Sequence, residues 1–502
     1  MKHTKIFGSL LFFGFLLSCS TGDVSTTDER ELLAKKNVEQ ELTMQEIQLL
    51  VRLQRPSNRI DMEEALQMAK EFTVAFRKSD SIDSLNNNGD FLLAPYQRNN
   101  SKKRTVLSKE ELSAASINVK NISVFLSENV LRNLNTKAKK GISIPDTLAY
   151  VFDFNEGYAI VSADARIGES VLGIVEKGSF DRQTDNPGMA LYLNMLDAYL
   201  IHSITEAERQ KDSLLSSIHS KLGVSNLNVK DINNILSTGK IWSDYYVWDC
   251  PPSAAICTET FGPLIPVEWG QHWPFNDSIK NANECPVVNN INGKHNPGGR
   301  KPAGCVATAT AQVMAYWQHP SVNALTGINV TWAALNNFKT KYDFYSFAEA
   351  SHKASIAKIF KKIGEEVSMD YIIAGCGGSY ADSKNAMKYL RSLGYPIHES
   401  LGDWNYRVIR TALNEYIPVP IYIIGCEEVG VLGCHAWLID GWKEIYKREN
   451  TYISEKQYLH HNFGWDDDKD NSIYLLTNII TQTLESDVKH RFRVKINPIY
   501  GP

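Results

Sequence analysis

Gly304-Cys305-Val306-Ala307-Thr308-Ala309-Thr310-Ala311-Gln312-Val313-Met314 decides how this chain is read. Small residues (Ala307, Ala309, Ala311) alternate with Val306, Val313 and Met314, and the spacing predicts a helix over Cys305 to Tyr316. Gly304 lets the chain turn just before it and leaves room for a second backbone. A cysteine opening a helix lies where free N–H groups and the helix dipole favour thiolate. A thiol nucleophile also needs a base within reach and donors for a developing oxyanion. Taken alone, the segment also reads as a buried structural cysteine.

The base is found downstream, in Gly433-Cys434-His435-Ala436-Trp437-Leu438-Ile439-Asp440-Gly441. His435 opens an apolar strand, so its ring can project from a sheet edge into a cleft. It follows Cys305 by 130 residues, and papain-like peptidases place their histidine about 130–150 residues after the cysteine, with an asparagine further on. Asn462, in Leu459-His460-His461-Asn462-Phe463-Gly464-Trp465, is the residue expected to orient the imidazole, with Trp465 shielding the pair from water. Gln271, in Glu268-Trp269-Gly270-Gln271, is the expected oxyanion donor. It lies 34 residues before Cys305, across a loop-rich insert from Asn276 to Arg300. Gly375-Cys376-Gly377-Gly378-Ser379 lacks a phosphate-loop pattern and reads as a loop whose backbone approaches an extended peptide.

The remaining sequence frames these motifs. Hydrophobic residues make up 43% and charged residues 22% of 502, a globular composition. Fifty-three Lys+Arg against 57 Asp+Glu give a net charge of −4, so no basic footprint points to nucleic acid. All ten Trp fall between Trp242 and Trp465, and every Cys but Cys19 between Cys250 and Cys434. That segregation predicts two separately built units with a seam near 210–260. In the first, Glu29 to Leu53 and Asp61 to Arg77 are helix-favouring, and Asp80 to Arg104 reads as loop. Tyr150–Phe154 and Tyr158–Val161 read as a hairpin, Val171–Val175 as a further strand, and Met189 to Arg209 as a helix. Glu206 to Lys240 is polar and helix-prone and is expected to act as a linker open to proteases. In the second unit, Ser355 to Val367 and Asp382 to Leu393 read as helices. Pro420–Ile424, Ala436–Ile439 and Lys456–Leu459 read as strands. Helices first and strands later predict α+β.

Met1 to Ser18 reads as a signal peptide: two lysines, a short apolar run, then Leu16-Leu17-Ser18 before Cys19. The run is too short to span a membrane. The last four residues resemble a bacterial lipobox, with Cys19 the lipidated first residue of the mature chain. No cofactor is expected. Cys426, Cys434, His435, His460 and His461 lack paired zinc spacing, and Asp466-Asp467-Asp468 with Asp470 lacks the rest of a calcium loop, so no metal is expected. Cys250 and Cys257 are close enough in sequence for a small disulfide loop, which the sequence leaves open.

Together these blocks resemble the streptopain family of bacterial cysteine peptidases. Besides those already quoted, they are Gly262-Pro263-Leu264, Pro274-Phe275-Asn276, His319-Pro320 and Val367-Ser368-Met369-Asp370-Tyr371. Tyr150 to Asp164 and Val171 to Asp181 are similar to the family's propeptide. The resemblance implies a papain-like α+β peptidase domain over 256–502. It is preceded by a signal (1–18), an α+β inhibitory propeptide (19–205) and an activation linker (206–255). It implies Cys305 as nucleophile and His435 as base, supported by Asn462, Trp465 and Gln271. Peptide backbone would bind at Cys434 and at Gly377, Gly378 and Ser379. The implied partners are protein or peptide substrates, the chain's own propeptide, an activating protease (or self-cleavage) and a membrane held through lipid on Cys19. A surface binding or peptidase-inhibitor protein that keeps the fold without turnover is the alternative. Cys434 stands where the family pattern has Gly, and Phe463 where it has Trp, which bears on substrate preference.

Overall fold

The computed structural model describes residues 42–86, 102–114, 117–134, 141–168, 171–237, 250, 253–279, 285–292, 295–373, 375–427, 433–448, 453–465, 472–486 and 491–502. The expected signal peptide, Cys19 and the Asp466–Asp470 run lie outside them. The amino-terminal part runs α1 (Met44–Leu53), α2 (Met62–Asn86), β1 (Lys103–Leu107), α3 (Lys109–Ala114), β2 (Val119–Leu126), α4 (Ser127–Asn133), β3 (Thr147–Phe154), β4 (Tyr158–Ser162) and β5 (Val171–Val175). Two helices follow, α5 (Pro187–Leu222) and α6 (Val229–Ser237). The carboxy-terminal part opens with β6 (Ile256–Phe261). It continues with α7 (Cys305–Trp317), α8 (Val322–Thr326), α9 (Trp332–Leu335), α10 (Lys341–Phe347), α11 (Ala350–Glu366), α12 (Ser383–Ser392), β7 (Gly402–Asp403) and α13 (Tyr406–Leu413). It ends with β8 (Ile421–Glu427), β9 (Cys434–Arg448), β10 (Ile453–Asn462), β11 (Ser472–Leu476), α14 (Thr477–Glu485) and β12 (Phe492–Pro498). The architecture is α+β, as expected, and the predicted hairpin, strands and helices form among the described residues; of the helix expected over Glu29 to Leu53, residues 29–41 lie outside them.

The two parts are not separately built. Strands from both make one antiparallel sheet in the order β2-β3-β4-β5-β11-β10-β9-β8-β12-β7, with β6 between β1 and β9. The join is β5 against β11, with Val175 opposite Ile473 and Gly173 opposite Leu475. The physical reason lies in β5 itself. All five of its residues are buried, so it is an interior strand and needs a neighbour on both edges. One hydrophobic core accordingly runs from Ile60 through to Ile499.

Side chains reinforce the join. Phe76 of α2 meets Tyr458 and Tyr474 edge-on, at 5.2 and 5.3 Å between ring centroids. Lys443 of β9 is buried, its Nζ 3.4 Å from Glu176 Oε1 and 4.2 Å from the Tyr474 ring centroid. A buried ammonium is tolerated because a carboxylate and ring faces replace its water.

Two expectations need correcting. The region 80–104 was expected to be loop, but α2 continues to Asn86 and β1 begins at Lys103. The linker expected from 206 begins inside α5, which runs on to Leu222 and closes on Gly223 in a left-handed conformation, φ 65°. Its polar second half is held by an apolar stripe the sequence reading did not partner. Ile218 and Leu222 are buried with Leu42, Ile47 and Leu50 around α1, and with Ile232 and Leu236 of α6. The other end of α5 is capped by the Asn186 side chain, which accepts from the N–H groups of Gly188 and Met189, with Pro187 in the first turn.

Candidate active site

Helix α7 is buried on every side from Val306 to Tyr316, as a helix of small and apolar residues all round must be. Its polar members bind locally. Thr308 Oγ1 donates to Gly270 O (3.2 Å), and Gln312 Nε2 donates to Trp269 O (3.0 Å) and to Asn462 Oδ1 (3.2 Å). These bonds draw the 269–271 segment and the end of β10 onto the helix that begins with Cys305. Gly304, at φ 92°, is required there. A Cβ would stand 2.7 Å from the Met369 sulfur and 3.3 Å from Ser379 Cβ, in backbone geometry that L side chains rarely adopt.

Cys305 is the free thiol among the described cysteines. The other six pair as Cys250–Cys257, Cys285–Cys376 and Cys426–Cys434. Sγ of Cys305 accepts from the backbone N–H groups of Ala436 and Val306, with its own N–H close by. These donors favour thiolate, as expected of a helix start. Burial outweighs them, however, and pushes the thiol above its ordinary value in this form of the chain.

The bond to Ala436 sets Cys305 beside His435, the neighbouring residue on β9. The imidazole lies in a cage of rings. It stacks on Trp437 (5.8 Å, 18°), meets Trp465 at 77° and packs against Phe463. Nε2–H donates to Phe463 O at 2.7 Å, which leaves the lone pair on Nδ1. Burial lowers its pKa to about 4, so the ring is neutral at pH 7. Among the described residues no hydrogen bond joins the Cys305 sulfur to this ring.

Asn462 does not orient His435 here, contrary to expectation. Its Nδ2 donates to Val267 O (2.9 Å), while Oδ1 accepts from Gln312 and from Gly464 N–H. It braces the 462–465 turn, and the carbonyl of the next residue, Phe463, holds the imidazole instead. Trp465 lies against His435 as expected. Gln271 is buried beside the helix start, where its carbonyl accepts from Ala303 N–H at 2.8 Å. Ser379 flanks Gly304 and donates its hydroxyl to Pro302 O (2.6 Å); Gly377 is exposed and Gly378 partly so.

Cys434, expected as a substrate contact, is bonded to Cys426, directly across the strand pair from it. The two inner disulfides and the Phe463 carbonyl were missed from sequence. Six cysteines besides Cys19 and Cys305 were the signal for the first. A backbone carbonyl gives no sequence signal at all.

Helix α5 of the amino-terminal part reaches this cage. A Cβ on Gly188 would come within 2.2 Å of the Phe463 ring, and one on Gly425 within 2.5 Å of Leu191. Gly188, Leu191, Tyr192 and Met195 share a small cavity with Trp437, His461 and Phe463. Trp437 Nε1–H donates to His461 Nδ1 at 2.9 Å, and burial takes the His461 pKa down to about 3. Behind it His460 Nδ1 lies 2.5 Å from Asp440 Oδ1, a buried pair.

Comparison with known proteins matches this region. Residues 269–472 fit the model of the peptidase C10 family. Streptopain of Streptococcus pyogenes is 26% identical over 195 residues, covering 34% of this chain and 44% of streptopain. The thiol protease/hemagglutinin PrtT of Porphyromonas gingivalis is 26% identical over 365 residues, 66% of this chain and 34% of that protein. The chain thus spans less than half the length of either relative. The matched segment carries Cys305, His435, Asn462, Trp465 and Gln271 together, and over residues 269–472 the chain is similar to the peptidase C10, or streptopain, family.

Proposed function

We propose that the chain is an exported cysteine endopeptidase made as a zymogen. The observation that carries this is Cys305, the one thiol left free among the described cysteines, at a helix start and bonded to the residue beside His435. In the active form His435 Nδ1 takes the thiol proton and the sulfur attacks a peptide carbonyl carbon. The oxyanion is met by the Cys305 N–H and the Gln271 amide. Collapse breaks the C–N bond, and His435 gives its proton to the leaving amine. A water then loses a proton to His435 and attacks the thioester, releasing the acid and restoring the thiolate.

The amino-terminal part is the inhibitor in this reading. Gly188 packs on Phe463, the residue whose carbonyl holds the imidazole. While α5 stays docked, the ring stays in its cage, bonded to the Phe463 carbonyl rather than to the thiol. Processing between residues 206 and 255 would release it. Three disulfides support an oxidising compartment, and Cys19 is the proposed lipid attachment site. Peptide backbone would bind along Gly377, Gly378 and Ser379. Cys434 would shape the cleft through its bond to Cys426.

The test is a purified chain beginning at Ser20, incubated under reducing conditions, with casein cleavage and any new amino terminus measured beside Cys305→Ala. A Cys305→Ala chain that still cuts casein ends the proposal. A thiol-directed epoxide separates the enzyme from a silent binding or inhibitor protein, since the enzyme is labelled stoichiometrically at Cys305.

A further inference from the structure

The rings around His435 do not stop at Trp465. Trp465 also meets His272 edge-on, at 6.1 Å and 85°. The next residue, Trp273, packs T-shaped on His295 (5.0 Å, 88°) and on Tyr345 (6.1 Å, 75°), and His295 packs on Tyr345 at 6.0 Å. Lys353 Nζ lies 5.7 Å from the Trp273 ring centroid. The inner members Trp465, His272 and His295 are buried, Trp273 is half-buried, and Tyr345 is 54% exposed. Phe347, two residues on, is 76% exposed. An aromatic surface thus leads from the candidate base out to solvent. Clustered exposed aromatics mark binding surfaces rather than ordinary protein surface.

The chemistry says which part of a substrate meets it. The imidazole protonates the leaving amine, so the segment carboxy-terminal to the cleaved bond lies on the His435 flank. Ser379 and Met369 crowd Gly304 at the start of the Cys305 helix, and Ser379 belongs to the loop expected to hold peptide backbone. The ring path begins at Trp465, against His435 itself, and so continues the leaving-group side. Its backbone is held in place: Trp273 N–H donates to His295 O at 3.3 Å, and Asn296 Nδ2 donates to Arg300 O at 2.8 Å.

We infer that Trp273 and Tyr345, positioned by His295, bind an aromatic or large apolar side chain in the part of a peptide substrate that follows the cleaved bond. The inference rests on the peptidase reading above and adds a specificity to it. The occupant is argued from continuity: the surface adjoins the atom that protonates the leaving group, and its exposed rings have one open side.

Two peptides identical up to the cleaved bond test it, one followed by three residues that include Phe, the other with Gly in place of Phe. The readout is the ratio of their kcat/KM values once the full chain, incubated under reducing conditions, has been processed. The expected ratio favours Phe by about 3- to 10-fold, the scale of an aromatic pair. It falls towards one in Tyr345→Ser, whose side chain is exposed and whose fold is checked by thermal melting, and in Trp273→Leu. A ratio near one in the unsubstituted chain, or a ratio that neither substitution moves, overturns the inference and leaves the peptidase reading standing. An unsubstituted chain that is processed yet cleaves neither peptide removes the peptidase reading and this inference with it.

Discussion

Cys305 and His435 are neighbours in space but are held by different means. The thiol is fixed by its own helix. Gly304 sets the turn, and α7 is packed on all sides by the carboxy-terminal part. The imidazole is fixed by a ring cage whose outer wall is α5, from the amino-terminal part. One half of the proposed catalytic pair is therefore held within the carboxy-terminal part, and the other sits among rings that α5 packs against. In the zymogen reading, control placed on the base rather than the nucleophile needs no rearrangement of the buried helix.

The comparison breaks most sharply at the thiol half. Cys305→Ala removes the nucleophile and is expected to lower casein cleavage by about 10³-fold or more while the melting temperature stays close to that of the parent. His435→Ala should match it in activity. Unequal losses, with His435→Ala nearly active, would remove the imidazole from the mechanism.

The imidazole half should respond to acid. His435 is buried and neutral with a pKa of about 4, against 6.5 unperturbed. The unfolded chain then binds the proton first. Its contribution to stability is complete above pH 6.5 and is lost as pH falls through 6.5 to about 4, by about 3 kcal/mol in total. His461, lowered to about 3, acts in the same direction. Urea midpoints between pH 7 and 4 measure this, and His435→Gln should flatten the slope. A slope that the substitution leaves unchanged would place the acid sensitivity elsewhere.

A wedge between the halves gives a smaller effect. Gly188→Val puts carbon into the Phe463 ring and should weaken α5 docking by about 1–3 kcal/mol. Epoxide labelling of Cys305 in the unprocessed chain should accelerate, and an unchanged rate would detach α5 from control of the site. Asn462→Ala is expected to cost about 1–2 kcal/mol through lost bonds to Val267, Gln312 and Gly464. It should lower the melting temperature more than kcat. A loss confined to kcat would restore Asn462 as the partner of the imidazole.

Much of this was legible in the residues. Cys305, His435 and Trp465 come together as their motifs predict, because a helix start and a strand start are short-range signals. The hairpin around Gly157 was equally plain, since two aromatic and β-branched runs flank one turn. What escaped reading depends on distant partners. Glu206 to Leu222 looks polar until α1 supplies a surface for Ile218 and Leu222. The uneven placement of Trp and Cys predicted two bodies, whereas backbone pairing between β5 and β11 makes one sheet. Asn462 carried the expected residue type at the expected position, yet its amide is spent on the scaffold.

If the chain is processed as proposed and its leading part leaves, the pairing of β5 with β11 has a further effect. β11 would then present a raw row of N–H and C=O groups along Ile473, Tyr474 and Leu475, all of them buried in the intact chain. Lys443 would lose Glu176 and the Phe76 ring at the same moment. A bare apolar strand margin recruits other strands, so the freed enzyme would be prone to self-association at that margin unless a new strand or the lysine's regained water blunts it.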